Sequence, residues 1–197
     1  MRAVIVASGP SASGFVPPKG VAVFAVNGAI DWLSKADHWF TLDPSDANMR
    51  RLCSPRRGVV YHAALPRNFV LGAAHVRRYE RVSARGPEPS PKHTPQWWLW
   101  RWSAVCGLSH KVGRINTGNS AWGALQLAYQ MGFKKILLVG VDASTALRVD
   151  GGAPSNLSHL PLLFESAMGQ IDIVNAGGMQ SRLPNMTIDK GVQWLKS

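Results

Sequence analysis

Small polar residues follow the first apolar run of the chain. Residues 3–7 have the pattern of a short buried strand, and directly after them comes a turn made of Ser8, Gly9, Pro10 and Ser11. Backbone N–H groups and hydroxyls that are exposed at such a turn can bind a phosphate group. The sequence therefore predicts a phosphate-binding turn, which is typical of enzymes that use a nucleotide.

Three more polar residues stand at the ends of apolar runs, namely Asn27, Asp43 and Asp142. In open α/β sheets, ligands bind outside the carboxyl ends of the strands, so we expect these side chains to converge with the first turn, with Asp142 as a candidate catalytic residue. Each residue also has a purely structural interpretation. Asn27 can form a tight turn, Asp43 can cap a helix, and Asp142 can cap a helix or hold a loop.

A second polar turn precedes the best-defined helical pattern. Thr117, Gly118, Asn119 and Ser120 stand before residues 121–129, where small and apolar residues recur at helical spacing. The N-terminus of a helix attracts anions because its backbone N–H groups have no helical partners. We expect this turn to contact the same ligand as the first.

Short apolar runs alternate with turns and a helix pattern along the chain. Such alternation predicts an α/β fold: a single Rossmann-like domain over residues 1–197 with a mostly parallel sheet. Strands are expected at residues 3–7, 21–26, 38–42, 58–62 and 136–139, with a helix beginning near residues 28–34.

The middle of the chain is irregular and strongly basic. Five prolines between residues 66 and 95 leave room only for a helical piece around residues 69–81, so residues 65–114 are expected to form a lid or insertion. Residues 50–114 hold 13 Lys or Arg against two acids, which accounts for the whole net charge of +11. This charge indicates either a solvated insertion or a polyanionic ligand, with Arg114 as a candidate phosphate partner.

Four tryptophans lie within six residues, in the segment QWWLWRW. Trp98 and Trp102 are one helical turn apart, with Arg101 between them. The cluster can bury a lid helix against the core. Alternatively, it can form a platform on which bases or sugar rings stack, with arginine holding a phosphate.

Composition narrows the classes of protein. The sequence has no secretory signal pattern and no apolar run long enough to span a membrane, which predicts a cytoplasmic protein. Cys53 and Cys106 lack zinc-site spacing, so no metal is expected. Neither a GxGxxG nor a GxxxxGK[ST] motif occurs, which argues against a standard dinucleotide site and a P-loop.

The order of four segments resembles the Rossmann-like core of bacterial sialyltransferases of the Campylobacter lipooligosaccharide type and of their phage and prokaryotic relatives. In that family the turn matching residues 9–11 and the residue matching Asn27 contact the cytidine nucleotide. Asp43 stands where the family usually has Asn, and residues 117–120 match a turn that contacts the donor. The four segments are VIVASGPS, AVNGAIDW, HWFTLDPS and INTGNSAWGALQLAYQMGFKKILLVGVD.

The same resemblance implies a catalytic base and a closing turn. The family's base is a histidine before the last strand, and His159 occupies that interval, although its segment also looks like a helix start. Residues 175–185 are similar to the family's C-terminal segment, in which Ser181 would close on the nucleotide. The departures at Ser8 and Asp43, and the short basic middle segment, leave the donor sugar open.

The resemblance implies an inverting, metal-independent glycosyltransferase that needs no cofactor beyond its nucleotide-sugar donor. The basic segment and tryptophans suggest a polyanionic acceptor, with modified DNA as one possibility, in the host cytoplasm if the protein is phage-encoded. One alternative is a pyrophosphokinase-like enzyme that uses ATP and magnesium, held by Asp43 and Asp142. Another is a nucleotide- or DNA-binding protein without catalysis.

Overall fold

The fold is an α/β sandwich, seen in a computed structural model that describes residues 1–69, 74–153 and 155–197. Seven parallel strands form the main sheet, and two more strands form a small parallel sheet beside it. The strands are β1 (Arg2–Val6), β2 (Ala22–Val26), β3 (His38–Thr41), β4 (Val60–Ala63), β5 (Arg77–Arg78), β6 (Glu80–Val82), β7 (Arg114–Asn116), β8 (Lys135–Val139) and β9 (Asp172–Asn175). The helices are α1 (Ala29–Trp32), α2 (Asp46–Cys53), α3 (Pro95–Arg101), α4 (Ser120–Gln130), α5 (Leu160–Glu165) and α6 (Ile188–Lys196).

The main sheet has the strand order β5-β4-β3-β2-β1-β8-β9. The chain adds strands on one side of β1 first and later returns to place β8 on its other side. This reversal makes the edge between β1 and β8 a topological switch point, where ligands bind in open α/β sheets. The predicted α/β fold with a parallel sheet is confirmed.

The strands are apolar on both faces because helices cover both sides of the sheet. One face packs Ile5, Phe24 and Phe40 against α4 and α5, whereas the other packs Val4 and Trp39 against α2 and α6. Helix α4 is buried along most of its length, since its small residues allow a close approach to the sheet. Within the described ranges no helix is both long enough and apolar enough to cross a membrane.

The five predicted strands and the helix after residue 120 are confirmed, with ends displaced by at most two residues. The helical piece expected around residues 69–81 is wrong for the part that is described, while residues 70–73 lie outside the described residues. Strand β5 and the start of β6 occupy this stretch. They form because β5 pairs with β4 and β6 pairs with β7, so long-range pairing outweighs the local pattern.

Residues 65–114 are built into the fold to a larger extent than a simple lid would be. Strand β5 extends the main sheet, and β6 and β7 form the second sheet. Helix α3 carries the tryptophans, as their spacing predicted, and the Thr94 hydroxyl accepts a hydrogen bond from Trp97 N–H at its start. No residue of α3 is fully buried, so the helix lies on the surface of the molecule.

Candidate functional site

Two adjoining cavities open at the carboxyl edge of the main sheet. The inner cavity, of about 70 Å³, lies among the turns that follow β1, β2 and β8. The outer cavity, of about 350 Å³, lies between the turn after β3, strand β6 and the start of α5. Four residues line both cavities, namely Asn27, Asn119, Arg148 and Leu157. The cavities therefore form one cleft at the topological switch point.

The turn after β1 uses most of its polar groups to hold the fold together. Asp142 accepts hydrogen bonds from Ser11 N–H (2.9 Å) and Gly178 N–H (2.6 Å), and Ser11 Oγ accepts one from Gly140 N–H (3.2 Å). A Cβ atom on Gly9 would lie 2.4 Å from Asp142 Oδ2 and from Gly140 O. Asp142 thus holds loops, as its structural interpretation predicted. Because Asp142 and Gly140 lie so close to residue 9, only glycine fits at that position.

One polar group of this turn remains available to a ligand. Ser8, Gly9 and Pro10 all line the inner cavity. The hydroxyl of Ser8 is buried and has no hydrogen-bond partner among the described residues, while its carbonyl oxygen accepts from Val149 N–H at 2.8 Å. A buried hydroxyl without a partner is costly, and a bound polar ligand would satisfy it.

Asn27 and Asp43 are joined by a residue that sequence reasoning missed, Asn48. Its buried amide group donates to Asn27 Oδ1 (3.3 Å) and to Asp43 Oδ2 (3.0 Å). Asp43 also accepts from Ser45 N–H (3.1 Å) and Ser45 Oγ (2.9 Å). The N-cap of α2 is Ser45, so Asp43 holds the turn before the helix and does not cap it. The signal for Asn48 was a polar residue on the inward face of a short amphipathic helix, one turn after Asp43.

In the turn before α4, some residues line the cleft and one holds the fold together. Gly118, Asn119 and Ser120 line the outer cavity, and Asn119 Oδ1 caps the helix by accepting from the N–H of residue 121 (2.8 Å). Thr117 lines neither cavity. Its hydroxyl lies within hydrogen-bonding distance of two carbonyl oxygens, those of Val82 (3.1 Å) and of residue 103.

His159 lines the outer cavity and is 1% exposed. It stands at the N-cap of α5, so the alternative that its segment begins a helix is correct. Neither ring nitrogen has a hydrogen-bond partner by distance and angle among the described residues. Burial lowers the pKa of the imidazole to about 4, although the nearby backbone of Gly118 offsets part of this shift. The ring is therefore neutral at pH 7 and can accept a proton.

Two arginines of the cleft were not foreseen, Arg81 and Arg148. Arg81 lies on β6 and lines the outer cavity, where its Nη1 donates to the carbonyl oxygen of Leu42 at 3.3 Å. Burial lowers the pKa of this guanidinium group. Arg148 lies in the loop after β8 and lines both cavities. In the part of the chain that the structure describes, no carboxylate lies within ion-pair distance of either.

Of the other residues predicted to contact the acceptor or a phosphate, some lie at the cleft and some do not. Trp102 lines the outer cavity, and Trp98 stacks behind it at 6.2 Å between ring centroids. Arg101 is exposed and lines neither cavity. Arg114 binds both carboxylate oxygens of Glu80, at 2.8 and 3.0 Å, so the structure does not bring it into the cleft.

Two further predictions concern residues away from these contacts. Ser181 lines neither cavity, and its hydroxyl is buried without a partner in the described ranges. Its role in closing on a nucleotide stays a prediction. Among the described residues, no three His, Cys, Asp or Glu side chains lie close enough together to hold a metal ion. Cys53 and Cys106 are exposed free thiols.

Comparison with known proteins yields one structural likeness. The sequence matches no protein-family model and no curated protein. Its fold is similar to that of the MAf glycosyltransferase from Magnetospirillum magneticum AMB-1, with a TM-score of 0.59 and 13% sequence identity. The likeness covers 99% of this chain but only 37% of that protein, so the chain spans little more than a third of its length. The likeness shows a shared α/β fold, and the sialyltransferase resemblance stays a prediction.

Proposed function

We propose that the protein is a glycosyltransferase that moves a sugar from a nucleotide-sugar donor to an acceptor hydroxyl without a metal ion. One observation carries the proposal. The cleft brings Arg81 and Arg148, which have no carboxylate partner among the described residues, together with the neutral imidazole of His159. It does so at the switch point of a sheet whose fold resembles that of a glycosyltransferase.

The donor's phosphates fit the wall between the two cavities. Arg148 and the N-terminus of the 11-residue helix α4, at Asn119, both border that wall. A guanidinium group and helix N–H groups are the donors that phosphate oxygens prefer. In this arrangement the nucleoside lies toward the inner cavity and the sugar toward the outer cavity.

The inner cavity is too small for a nucleoside as it stands, because ligand pockets usually measure about 300–1,000 Å³. The loop after β8 covers it, held by the hydrogen bond from Val149 N–H to the carbonyl oxygen of Ser8. Donor binding would displace this loop and free Ser8 to contact the ligand. Such loop movements are common in enzymes that exclude water from a reaction.

The transfer itself requires one bond to form and one to break. The acceptor oxygen bonds to the anomeric carbon of the donor sugar, and the bond between that carbon and the phosphate oxygen breaks, so the electron pair leaves with the nucleoside phosphate. His159 takes the proton of the attacking hydroxyl. Arg148 stabilises the charge that develops on the phosphate. Attack opposite the leaving group inverts the anomeric centre.

A thermal-shift panel tests donor binding. CMP, UDP, GDP, ADP and ATP are each added with and without magnesium. At about 100 times its Kd, a ligand stabilises the folded state by about 2.7 kcal/mol. For a chain of this size that corresponds to a melting temperature higher by roughly 5–10 °C. We expect this rise with one pyrimidine nucleotide without metal, and we expect Arg148→Gln to remove most of it.

Arg57→Gln is the matched control, because Arg57 is an exposed arginine that lines neither cavity. Asn27→Ala is less suitable, since Asn27 has φ = +49° and alanine would strain the backbone there. A shift that appears only with ATP and magnesium would favour the pyrophosphokinase-like alternative. If no nucleotide raises the melting temperature, the proposal is wrong and a non-catalytic binding protein becomes the better account.

A further inference from the structure

Trp102 gives the outer cavity an exposed aromatic face. The residue is 41% exposed and lines this cavity but not the inner one. Its indole stacks on that of Trp98, with 23° between the ring planes, and Trp98 in turn packs edge-on against Trp97. The three rings support one another, so the exposed indole is held in one orientation. A fixed aromatic face at the side of a cleft is suited to stack on a ring.

Arg81 gives the same cavity a cation that has no counter-ion in the described part of the chain. It is half-buried, and its one hydrogen bond in the described ranges is the donation to the Leu42 carbonyl. Other arginines of the chain, such as Arg51 and Arg182, lie against carboxylates. Removing a charge from water is costly unless an opposite charge compensates. An anionic group on a ligand would provide that compensation.

Backbone hydrogen bonds hold the two residues in place. The hydroxyl of Thr117 lies near the carbonyl oxygens of Val82 and Ser103, the residues that directly follow Arg81 and Trp102. Its N–H donates to the Val82 carbonyl at 2.8 Å, which joins the end of β6 to the turn before α4. Arg81 and Trp102 are thus fixed to one point of the scaffold, as a specific binding site requires.

We propose that Arg81 and Trp102 form the acceptor subsite and that the acceptor is an acidic sugar. The sugar ring packs against the indole of Trp102, and its carboxylate or phosphate pairs with Arg81. The proposal rests on the function proposed above, because the donor occupies the other part of the cleft. The volume of about 350 Å³ suits a group of the size of one or two sugar rings.

The contacts that the arginines of the basic segment already make favour a small acid over a nucleic acid. Nucleic acid binding needs a groove of available cations that follows several phosphates, together with stacked bases. Here protein oxygens already bind several of the arginines, and among the described residues that line the cavity there is one indole, which is half-exposed. Carboxylates or carbonyl oxygens of the protein bind Arg51, Arg56, Arg67, Arg78 and Arg114.

Saturation-transfer NMR tests the subsite without requiring turnover. The probes are D-glucuronate and D-glucose 6-phosphate, with D-glucose as the neutral control, each added to the full chain in the presence of the nucleotide that the thermal panel identifies. We expect both acidic sugars to bind at least tenfold more tightly than glucose, because a charged pair replaces a neutral contact. Trp102→Ala and Arg81→Gln should each weaken acidic-sugar binding about tenfold.

Conservative and distant variants separate the subsite from general damage. Trp102→Phe keeps a ring and should retain most of the binding, and Arg57→Gln removes an exposed charge outside the cleft and should change nothing. Nucleotide binding should survive in the Trp102 variants. If nucleotides bind but acidic sugars do not, the subsite is wrong and the proposed function stands.

Two more outcomes are informative. If a single-stranded oligonucleotide binds through Trp102 and the acidic sugars do not, the acceptor is a nucleic acid and the inference is overturned. If the acidic sugars bind through both residues but no nucleotide binds at all, the subsite is supported and the glycosyltransferase proposal fails.

Discussion

The two cavities of the cleft use their polar residues in opposite ways. The turn beside the inner cavity has a conspicuous sequence motif, yet Ser11 and Asp142 spend their hydrogen-bonding groups on backbone partners. Arg81 and His159, in contrast, reach the outer cavity from separate elements and present groups without described side-chain partners. The polar groups beside the inner cavity thus serve as a scaffold, whereas those of the outer cavity are available to a ligand.

This contrast has a physical reason. The buried N–H groups of a turn at the end of a central parallel strand need hydrogen-bond acceptors, and the small polar side chains of the turn region provide them. Residues that reach a cleft from separate elements need not form hydrogen bonds to a neighbouring turn. We therefore expect substitutions beside the inner cavity to lower stability and substitutions beside the outer cavity to lower activity. The predictions below test that division.

The largest effect is expected for His159→Gln. The variant retains a side chain of similar size but loses the proton acceptor, so kcat should fall by about 10²–10⁴-fold. The release of nucleoside phosphate from the donor sugar measures this turnover. Because the imidazole is 1% exposed and its replacement also changes packing, the melting temperature of the variant is measured to confirm that it is folded at the assay temperature. His110→Gln, at an exposed site, is the control and should retain full activity.

The pH profile of kcat sharpens the assignment. Because burial lowers the pKa of His159 to about 4, the free base persists well below pH 6.5. The acidic limb of the profile should therefore fall near pH 4 and disappear in the variant. Unchanged kcat in His159→Gln, or an acidic limb that is the same in both proteins, would contradict a role for this residue as the base.

Gly9→Ala should cause the largest loss of stability at the inner cavity. The new Cβ atom would meet the Gly140 carbonyl, which also accepts the hydrogen bond from Gly9 N–H at 2.9 Å and cannot move away freely. Crowding of this kind costs about 1–3 kcal/mol. Urea unfolding measures the difference. Gly86→Ala is the control, since its Cβ atom would point into open space. Equal stability of the two variants would refute the tight packing of this turn.

The buried His62 and its two hydrogen-bonding neighbours should make stability depend on pH. His62 lies between His38 (3.1 Å) and the Tyr79 hydroxyl (2.9 Å), and burial lowers its pKa to about 3. The unfolded state, with a histidine pKa of about 6.5, then binds more protons than the folded state. The stabilisation is complete above pH 6.5 and is lost as the pH falls toward 3, at about 1.4 kcal/mol per unit for one group.

Urea unfolding between pH 7 and pH 5 measures this slope in the wild type and in His62→Gln. The burial of His38 and of His159 lowers their pKa values as well, so each adds to the same trend. In the variant, the free energy of unfolding should therefore still depend on pH, but with a slope that lacks the contribution of His62. A slope that is identical in the two proteins would show that His62 titrates normally in the folded state.

The sequence predicted the inner cavity better than the outer one. Strands β1, β2, β3 and β8 are runs of apolar residues, and parallel topology then brings the polar residues after them to one edge. Arg81 was missed because its stretch resembled a helix, and only pairing with β7 makes it a strand that faces the cleft. Arg148 and Asn48 belong to a loop and a short helix whose positions depend on distant contacts.

The smallest expected effects come from two serines of the same turn. Ser8→Ala removes a hydroxyl with no described partner, so stability should change by less than about 1 kcal/mol, while nucleotide affinity should fall several-fold if the ligand binds that hydroxyl. Ser11→Ala removes the acceptor of Gly140 N–H and should cost about 1 kcal/mol without changing affinity. Urea unfolding and nucleotide titration distinguish the two. The opposite pattern would mean that Ser11, not Ser8, faces the donor, and the division between scaffold and available groups would fail within this turn.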